Sequence, residues 1–204
     1  MLKRILLSTT LLVSSCGIIN TAEKGKKSEE NAPELAGDWK SACVANSALK
    51  LSHTQRDFNF NAIGDFDKTE SFFKDDLCDE SFVTYQVMGT YDEKGENPEN
   101  ADIQMINFTV NEANLTADTG GAVTILNGLK FCGISDWKMG EERNITSQDC
   151  TGFKVNKGDV IFESYKLEDN NSDLYLGQKF VFLAKDNSNE RPKDVNKNAG
   201  FTRE

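Results

Sequence analysis

Short runs in which apolar and polar residues alternate are the feature that most constrains the fold of this chain. In the stretch 57–63, Phe58, Phe60 and Ala62 share one face, and residues 82–91 alternate in the same way. Further short runs follow, divided by Gly, Asn and Asp. A period of two is typical of half-buried strands, and many such strands separated by turn residues indicate an antiparallel sandwich or barrel of about eight strands. The chain is therefore expected to be an all-β protein.

The other elements are predicted from the same kind of signal. Additional strands are expected at 37–44, 49–53, 68–73, 103–110, 160–167 and 174–183, and a loop is expected at 92–100. One segment has helical spacing instead, with apolar residues at Ala122, Val123, Leu126 and Leu129. We expect a short helix at 119–127 that Thr119 caps and Gly128 ends.

The N-terminus predicts export and lipid attachment. A cationic start precedes an apolar run at 5–13, which is too short to span a membrane as a helix. The run leads into the sequence VSSC at 13–16. This pattern resembles the lipobox of bacterial lipoproteins, in which cleavage falls directly before the cysteine. We therefore expect cleavage between Ser15 and Cys16 and a lipid on the thiol of Cys16.

These features divide the chain into four parts. Residues 1–15 form a lipoprotein signal peptide that is removed, and residues 16–34 form the lipidated cysteine and a polar, flexible tether. Residues 35–185 form the barrel domain, and residues 186–204 form a polar C-terminal tail. The residue after the lipidated cysteine is Gly17 rather than the aspartate that signals inner-membrane retention in enteric-type sorting, so the outer membrane of a bacterial envelope is expected. The alternative is an ordinary secretory signal whose cysteine joins a disulfide.

The charge balance argues against several classes of partner. The chain holds 33 acidic and 23 basic residues, a formal net charge of −10. Such acidity disfavours nucleic acid and electrostatic binding to anionic lipid. No nucleic-acid partner is expected, and the expected contact with the membrane is through the lipid on Cys16.

The cysteines predict two disulfides. Once the N-terminal cysteine is assigned to the lipid, an even set remains, consisting of Cys43, Cys78, Cys132 and Cys150. An even set in an exported chain indicates disulfides, and four cysteines allow three pairings. The pairing Cys43–Cys78 with Cys132–Cys150 is favoured because each bond closes a local loop. A metal site is disfavoured, since Cys-x-x-Cys is absent and His53 is the only histidine. No metal and no cofactor is expected.

The first expected strand opens with Gly37-Asp38-Trp39. Gly-x-Trp at this place in an exported antiparallel domain resembles the lipocalins and the wider calycin superfamily. Two further marks, CGISDW at 132–137 and DLYLG at 173–177 followed by Arg-Pro, resemble a group of lipocalin-like bacterial lipoproteins. The resemblance implies an up-and-down barrel of eight strands in which Trp39 closes one end and packs against a late arginine, either Arg191 or Arg203. It implies no known activity.

No arrangement of residues predicts a reaction. His53 has no nucleophile motif beside it, and the acidic residues at 75–76 and 79–80 have the character of a charged loop. The segment 169–173 begins like a calcium loop, but Leu174 and Phe180 stand where that loop needs Gly and Glu. It is therefore expected to be a hairpin turn. No catalytic residue is predicted, and the chain is not expected to be an enzyme.

The aromatic residues leave two functions open. Thirteen Phe, four Tyr and two Trp fall mostly on expected strands, where they either fill the barrel or line an apolar cavity. The leading expectation is a lipid-anchored module that binds an apolar small molecule or a lipid. The alternative is a structural protein with a solid core that binds another envelope protein through loops at 92–100 or 140–146.

Overall fold

The computed structural model describes residues 34–45, 53–177 and 191–204. The strands of this part are β1 (Gly37–Ser41), β2 (Val44–Ala45), β3 (His53–Phe60), β4 (Asp65–Phe73), β5 (Ser81–Asn97), β6 (Asn100–Ala117), β7 (Glu142–Asn144), β8 (Val160–Glu168), β9 (Asp173–Leu176) and β10 (Phe201–Arg203). The helix α1 is Gly120–Leu129, and 3₁₀ turns occupy Phe131–Gly133 and Lys197–Ala199. The predicted signal peptide, cleavage site, Cys16 and most of the tether lie outside the described residues, as do the expected strand segments 49–52 and 178–183.

Eight of the strands close into an antiparallel barrel. Their order around the barrel is β1, β3, β4, β5, β6, β8, β9 and β10, and β10 pairs with β1 to complete the ring. The expected strand at 37–44 is divided, because β2 leaves the ring and pairs with the start of β3, while β7 pairs with the end of β6. The predicted class, an all-β up-and-down barrel of eight strands with one short helix, is confirmed. This architecture is compatible with a lipocalin-like fold.

The strand register places both apolar and charged side chains inside the barrel. Phe58 on β3 pairs with Lys68 on β4, which pairs with Val87 on β5, and all three are buried. Two residues from Phe58 along β3, Arg56 pairs with Glu70 of β4, and both are again buried. Directly paired residues of antiparallel strands project from the same face. The alternation predicted from the sequence is therefore real, but the inward face is only partly apolar.

The two ends of the barrel are formed by different residues and connections. At the Trp39 end, Gly37 pairs with Phe60, which pairs with Phe66 across the turn 61–64. At the helix end, Phe72 of β4 pairs with Val83 of β5, which pairs with Ala117 at the close of β6. The helix α1 follows directly, so the long connection between β6 and β8 begins at the helix end.

A glycine in β5 is required by close packing inside the barrel. A Cβ at Gly89 would lie 2.0 Å from the carbonyl oxygen of Thr109 and 2.9 Å from the ring of Phe66. The register between β5 and β6 shifts at the same point, between Met88 and Gly89. Shifts of this kind increase local bending, which helps a sheet to close.

The prediction of a loop at 92–100 is wrong. β5 continues to Asn97 and β6 begins at Asn100, so the two strands form a long hairpin with a tight turn at Pro98. A register shift between Glu93 and Gly95 accommodates Gly95 with a φ of +76°. Most side chains of this part of β5 are exposed, so the segment shows no apolar alternation although its backbone is paired.

The prediction that residues 186–204 form only a polar tail is also wrong, because this segment contains β10, a strand of the barrel. In β10, Phe201 pairs with Leu174 of β9 and Arg203 pairs with Trp39 of β1. The strand has three residues, of which Phe201 alone is buried. So short a strand carries no periodicity that a sequence could reveal, and its partners lie far away in the chain.

The predicted helix is confirmed, but its C-terminal boundary is wrong. The side chain of Thr119 accepts a hydrogen bond from the N–H of Ala122 at 3.1 Å, as the predicted cap requires. The helix runs through Gly128 to Leu129, and Lys130 adopts the left-handed conformation with a φ of +47°. Two backbone hydrogen bonds from the Lys130 N–H to the last turn hold this ending in place of a glycine.

Candidate functional site

Trp39 lies at one end of the barrel beneath an arginine from the C-terminus. The indole is buried, and its Nε1 donates to the carbonyl oxygen of Leu35 at 2.8 Å. The guanidinium of Arg203 lies 4.5 Å from the centre of the indole ring. The same guanidinium donates to the carbonyl oxygens of Ala36, at 3.3 Å, and of Glu34. Arg203, and not Arg191, is thus the late arginine that the resemblance implies.

Arg191 has a different place in the fold. Its guanidinium donates to the carbonyl oxygen of Ile106 at 2.8 Å and to Oδ1 of Asn107 at 2.5 Å, both on β6. It also donates to the carbonyl oxygen of Glu163 and lies 5.4 Å from the ring centre of Phe162, both on β8. Arg191 therefore fastens residues that follow the undescribed segment 178–190 to the seam between β6 and β8.

An aromatic cluster occupies the barrel interior beside the Trp39 end. The ring of Phe108 lies 6.0 Å from Phe58, 6.1 Å from Phe60 and 4.9 Å from Phe66, measured between ring centres. Phe58 also contacts Phe201 at 5.5 Å. These separations are those of packed aromatic pairs. At this level the barrel is filled by its own side chains.

A buried ion pair lies next to the aromatic cluster. Nζ of Lys68 is 2.8 Å from Oε2 of Glu70, and their side chains are 3% and 0% exposed. The other carboxylate oxygen of Glu70 accepts a hydrogen bond from the hydroxyl of Thr54 at 3.2 Å. Burial lowers the pKa of Lys68, and the facing carboxylate of Glu70 opposes that shift. The ion pair and its hydrogen bonds therefore compensate in part for the burial of the Lys68 side chain.

A second pair of opposite charges extends this interior network. Arg56 and Glu163 are both buried. Burial lowers the pKa of Arg56, and the attraction of Glu70 and Glu163 acts in the opposite direction. Burial also raises the pKa of Tyr85, reinforced by the negative charge of Glu70. The interior thus contains two basic residues, Arg56 and Lys68, and two acidic residues, Glu70 and Glu163.

The charged interior was not predicted from the sequence, although a signal for it exists. Lys68 and Glu70 stand at alternate positions between Phe66 and Phe72, and all four are buried. In a strand, a charged residue that stands two or four positions from an aromatic residue projects to the same face of the sheet as that residue. The strand expected at 68–73 begins at Asp65 instead, so Phe66, one of the two flanking aromatic residues, lay outside the predicted strand.

Both predicted disulfides are present and lie toward the helix end. Cys43 bonds to Cys78 across a sequence separation of 35, and Cys132 bonds to Cys150 across a separation of 18. The first joins the link between β1 and β2 to the loop 74–80. The second lies within the connection that begins at α1. The favoured pairing is confirmed.

The exposed apolar side chains concentrate at the same end. Of the large apolar residues that are exposed in the described part, four belong to the loop 74–80, to α1 or to the segment after it: Leu77 at 72%, Ile125 at 50%, Leu129 at 61% and Met139 at 66%. Met139 forms a bridge with Ala117 at the end of β6. The fifth, Ile63 at 85%, lies in the turn of the Trp39 end. We call the first four the apolar group of the helix end.

The other residues considered for chemistry remain separate. His53 is the first residue of β3, and the acidic residues at 75–76 and 79–80 occupy the expected exposed loop. The segment 169–173 forms the expected hairpin turn, with Asp169, Asn170 and Asn171 in the left-handed conformation. In residues 34–45, 53–177 and 191–204, no group of three or more His, Cys, Asp or Glu side chains has the geometry to hold a metal ion.

The pockets that are lined by described residues include two small ones on the surface. One, of about 210 Å³, lies beside β10 and is bordered by Tyr175 and Lys197. The other, of about 220 Å³, lies on the outer wall around Asp38, Asp57 and Asp67. Both are smaller than the ~300–1,000 Å³ that is usual for small-molecule sites. Neither is favoured as a binding site.

Comparison with known proteins assigns no family to this chain. Within the described ranges, none of the helices is both long and apolar enough to cross a membrane. No protein-family model matches the chain, and no match to a curated protein reaches significance.

Proposed function

We propose that this chain is a lipid-anchored envelope lipoprotein whose barrel is a solid scaffold that binds another envelope protein through its outer surface. The single observation that carries the proposal is the occupied interior of the barrel. Side chains of the chain itself, aromatic near Trp39 and charged near Glu70, take the place that a ligand would need.

The burial of the inward-facing residues supports a solid interior. Tyr85, Val87 and Ile106 have no accessible surface, and Lys68 retains 2%. Side chains that line an open cup keep surface accessible to solvent in the cavity. An apolar ligand would also have to displace the buried ion pair or lie against it. Either arrangement costs free energy, because the charged groups would lose partners and the ligand would gain no apolar contact from them.

The anchor is supported by the N-terminal sequence. A cationic start, an apolar run at 5–13 and the VSSC sequence before Gly17 are together typical of a lipoprotein signal. A diacylglyceryl group with a further acyl chain on Cys16 anchors a protein stably. The absence of aspartate at position 17 favours the outer membrane in enteric-type sorting.

Ligand titration tests the solid interior. The purified domain is titrated with benzene and with the apolar dye N-phenyl-1-naphthylamine, and its organic extract is examined for a lipid in stoichiometric amount. We expect no saturable binding and no bound lipid. A one-to-one complex that a lipid displaces would overturn the proposal.

A cavity variant provides the positive control. Phe108→Ala removes the ring that contacts Phe58, Phe60 and Phe66 and leaves an apolar cavity, and such cavities bind benzene. Phe108→Leu is the milder variant, and circular dichroism verifies that each is folded. Binding to the variant but not to the natural protein is the expected result.

A binding cup for an apolar small molecule or lipid is the second candidate. The aromatic wall formed by Phe58, Phe60, Phe66 and Phe108 favours it, because ligand pockets are lined mainly by apolar and aromatic residues. It requires these rings to separate when the ligand enters. The titration above decides between the two candidates.

A further inference from the structure

We propose that the helix end of the barrel is the docking surface, and that its partner is a protein with an apolar patch bordered by cationic groups. This inference rests on the proposed function and assigns that function to one end of the barrel. Four observations lead to it: the position of the apolar group, the charges around it, the disulfides and the place where the chain enters the fold.

The apolar group is concentrated at one end. Leu77, Ile125, Leu129 and Met139 are each at least half exposed. Single exposed apolar side chains are normal on any protein surface. Four of the five large ones of the described part lie in segments at one end. Exposed apolar side chains that gather on one surface mark interaction sites.

The loop 74–80, which contains Leu77 of the apolar group, is predominantly acidic, with Lys74 as its one basic residue. Leu77 stands between Asp75, Asp76, Asp79 and Glu80, all exposed. An apolar centre with a charged border is the usual anatomy of a protein interface, and potentials across such interfaces are complementary. The partner is therefore expected to present cationic groups opposite the loop 74–80. An anionic lipid surface would be repelled by the same loop.

Both disulfides stiffen this end of the molecule. Cys43–Cys78 ties the acidic loop to the link between β1 and β2, and Cys132–Cys150 ties the segment after α1 into the core. A surface that is rigid before binding loses less entropy when it binds. The Trp39 end contains neither disulfide.

The chain enters the fold at the opposite end. Glu34 and Ala36 are bound through their carbonyl oxygens to Arg203, and Leu35 is buried beside Trp39. An anchor that precedes residue 34 therefore connects to the Trp39 end. The apolar group therefore lies at the end of the barrel opposite to residue 34.

Site-specific photocrosslinking in living cells tests this surface. p-Benzoylphenylalanine replaces Leu77 or Ile125, and Ile63 is the matched control because it is equally apolar and 85% exposed at the other end. We expect Leu77 and Ile125 to yield an adduct with the same protein, identified by mass spectrometry, and Ile63 to yield none. Equal adducts from all three positions, adducts only with lipid from Ile125, or only a dimer of this chain would each overturn the proposal.

Charge reversal tests the chemistry of the partner. Asp76→Lys, Asp79→Lys and Glu80→Lys in one chain should lower the yield of the adduct at least about tenfold, since each mismatched charge weakens association. The control is Glu96→Lys, Glu99→Lys and Asp102→Lys, an identical charge change on the exposed β5–β6 hairpin, with no expected effect. Equal losses from the two triple variants would overturn the assignment of a cationic partner.

The same crosslinks separate this inference from the proposed function. Protein adducts that form from the barrel wall or from Ile63, with none from the helix end, overturn the docking surface and leave the scaffold function intact. Loss of all protein adducts together with stoichiometric ligand in the barrel overturns both.

Discussion

Arg203 illustrates how a single residue closes the barrel. It joins the last strand to the first through the ring of Trp39 and through carbonyl oxygens of residues 34 and 36. Gly37 lies beside this guanidinium and has a φ of +138°, a backbone conformation that residues with a side chain rarely adopt. Three residues from opposite ends of the chain thus form one contact.

Arg203→Ala should lower the free energy of unfolding by about 1–2 kcal/mol, since it removes a cation–π contact and hydrogen bonds to carbonyl oxygens. Arg203→Lys should recover part of the loss, because lysine keeps the charge but not the planar group. Urea unfolding with the disulfides intact measures both. Lys157→Ala, at an exposed lysine, is the control and should change stability by less than about 0.5 kcal/mol.

Lys68 and Glu70 are the residues for which burial matters most. Lys68→Met should cost about 3–5 kcal/mol, because it leaves the carboxylate of Glu70 buried with less compensation. The double variant Lys68→Met with Glu70→Leu should cost much less than the sum of the two single variants. A double-mutant cycle in urea measures the coupling.

A pair on the surface provides the comparison. Lys40 and Asp57 are 3.6 Å apart and about two-fifths exposed, so Lys40→Met should cost no more than about 1 kcal/mol. Equal effects at Lys40 and Lys68 would show that the interior is wet and that the barrel is not the solid scaffold described above.

At the scale of elements, the C-terminal end of α1 predicts whether a substitution at Gly128 raises or lowers stability. Gly128 lies inside the helix, and a Cβ there would meet nothing within 4 Å. Gly128→Ala should therefore raise stability by about 0.5–1 kcal/mol. Lys130→Gly should also stabilise, because it relieves the left-handed conformation of Lys130. If Gly128 ended the helix, as the sequence suggests, alanine would destabilise instead, and thermal unfolding distinguishes the two results.

The elements that were predicted correctly are those in which the pattern of apolar and polar side chains, or a capping residue, indicates the structure. The part of β5 from Val83 to Tyr91 alternates strongly, as predicted, and Thr119 is a cap that its sequence context identifies. The outer half of the β5–β6 hairpin was missed because both faces are polar. β10 was missed because its pairing with β1 is decided by the closure of the barrel and not by its own three residues.

The candidate site was less accessible to prediction than the fold. The disulfides followed from the count of cysteines and the preference for local loops. The interior charges did not, because the free energy that permits Lys68 inside the barrel comes from Glu70 and Thr54, and their proximity depends on strand register. The apolar group of the helix end was not predicted either, since it is defined by exposure, and exposure is a property of the folded chain.

At the scale of the whole molecule, the two ends of the barrel differ in what they contain. The Trp39 end receives the N-terminal segment and is closed by the C-terminal strand. The helix end contains both disulfides and the apolar group. The proposed anchor connects to the first end and the proposed partner binds the second, with the closed barrel between them.

The anchor is tested by Cys16→Ala, which removes the thiol to which the lipid is attached. We expect the protein to move from the membrane fraction to the soluble fraction and to lose incorporation of labelled palmitate, because a polar tether has no other means of staying at a membrane. Its unfolding in urea should not change, since the four remaining cysteines pair with one another. The control, Cys43→Ala with Cys78→Ala, should reverse both results: it stays with the membrane fraction and loses about 2–4 kcal/mol of stability. A Cys16→Ala protein that still sediments with membranes would mean that another part of the molecule holds it there, and the separation of roles between the two ends would fail with it.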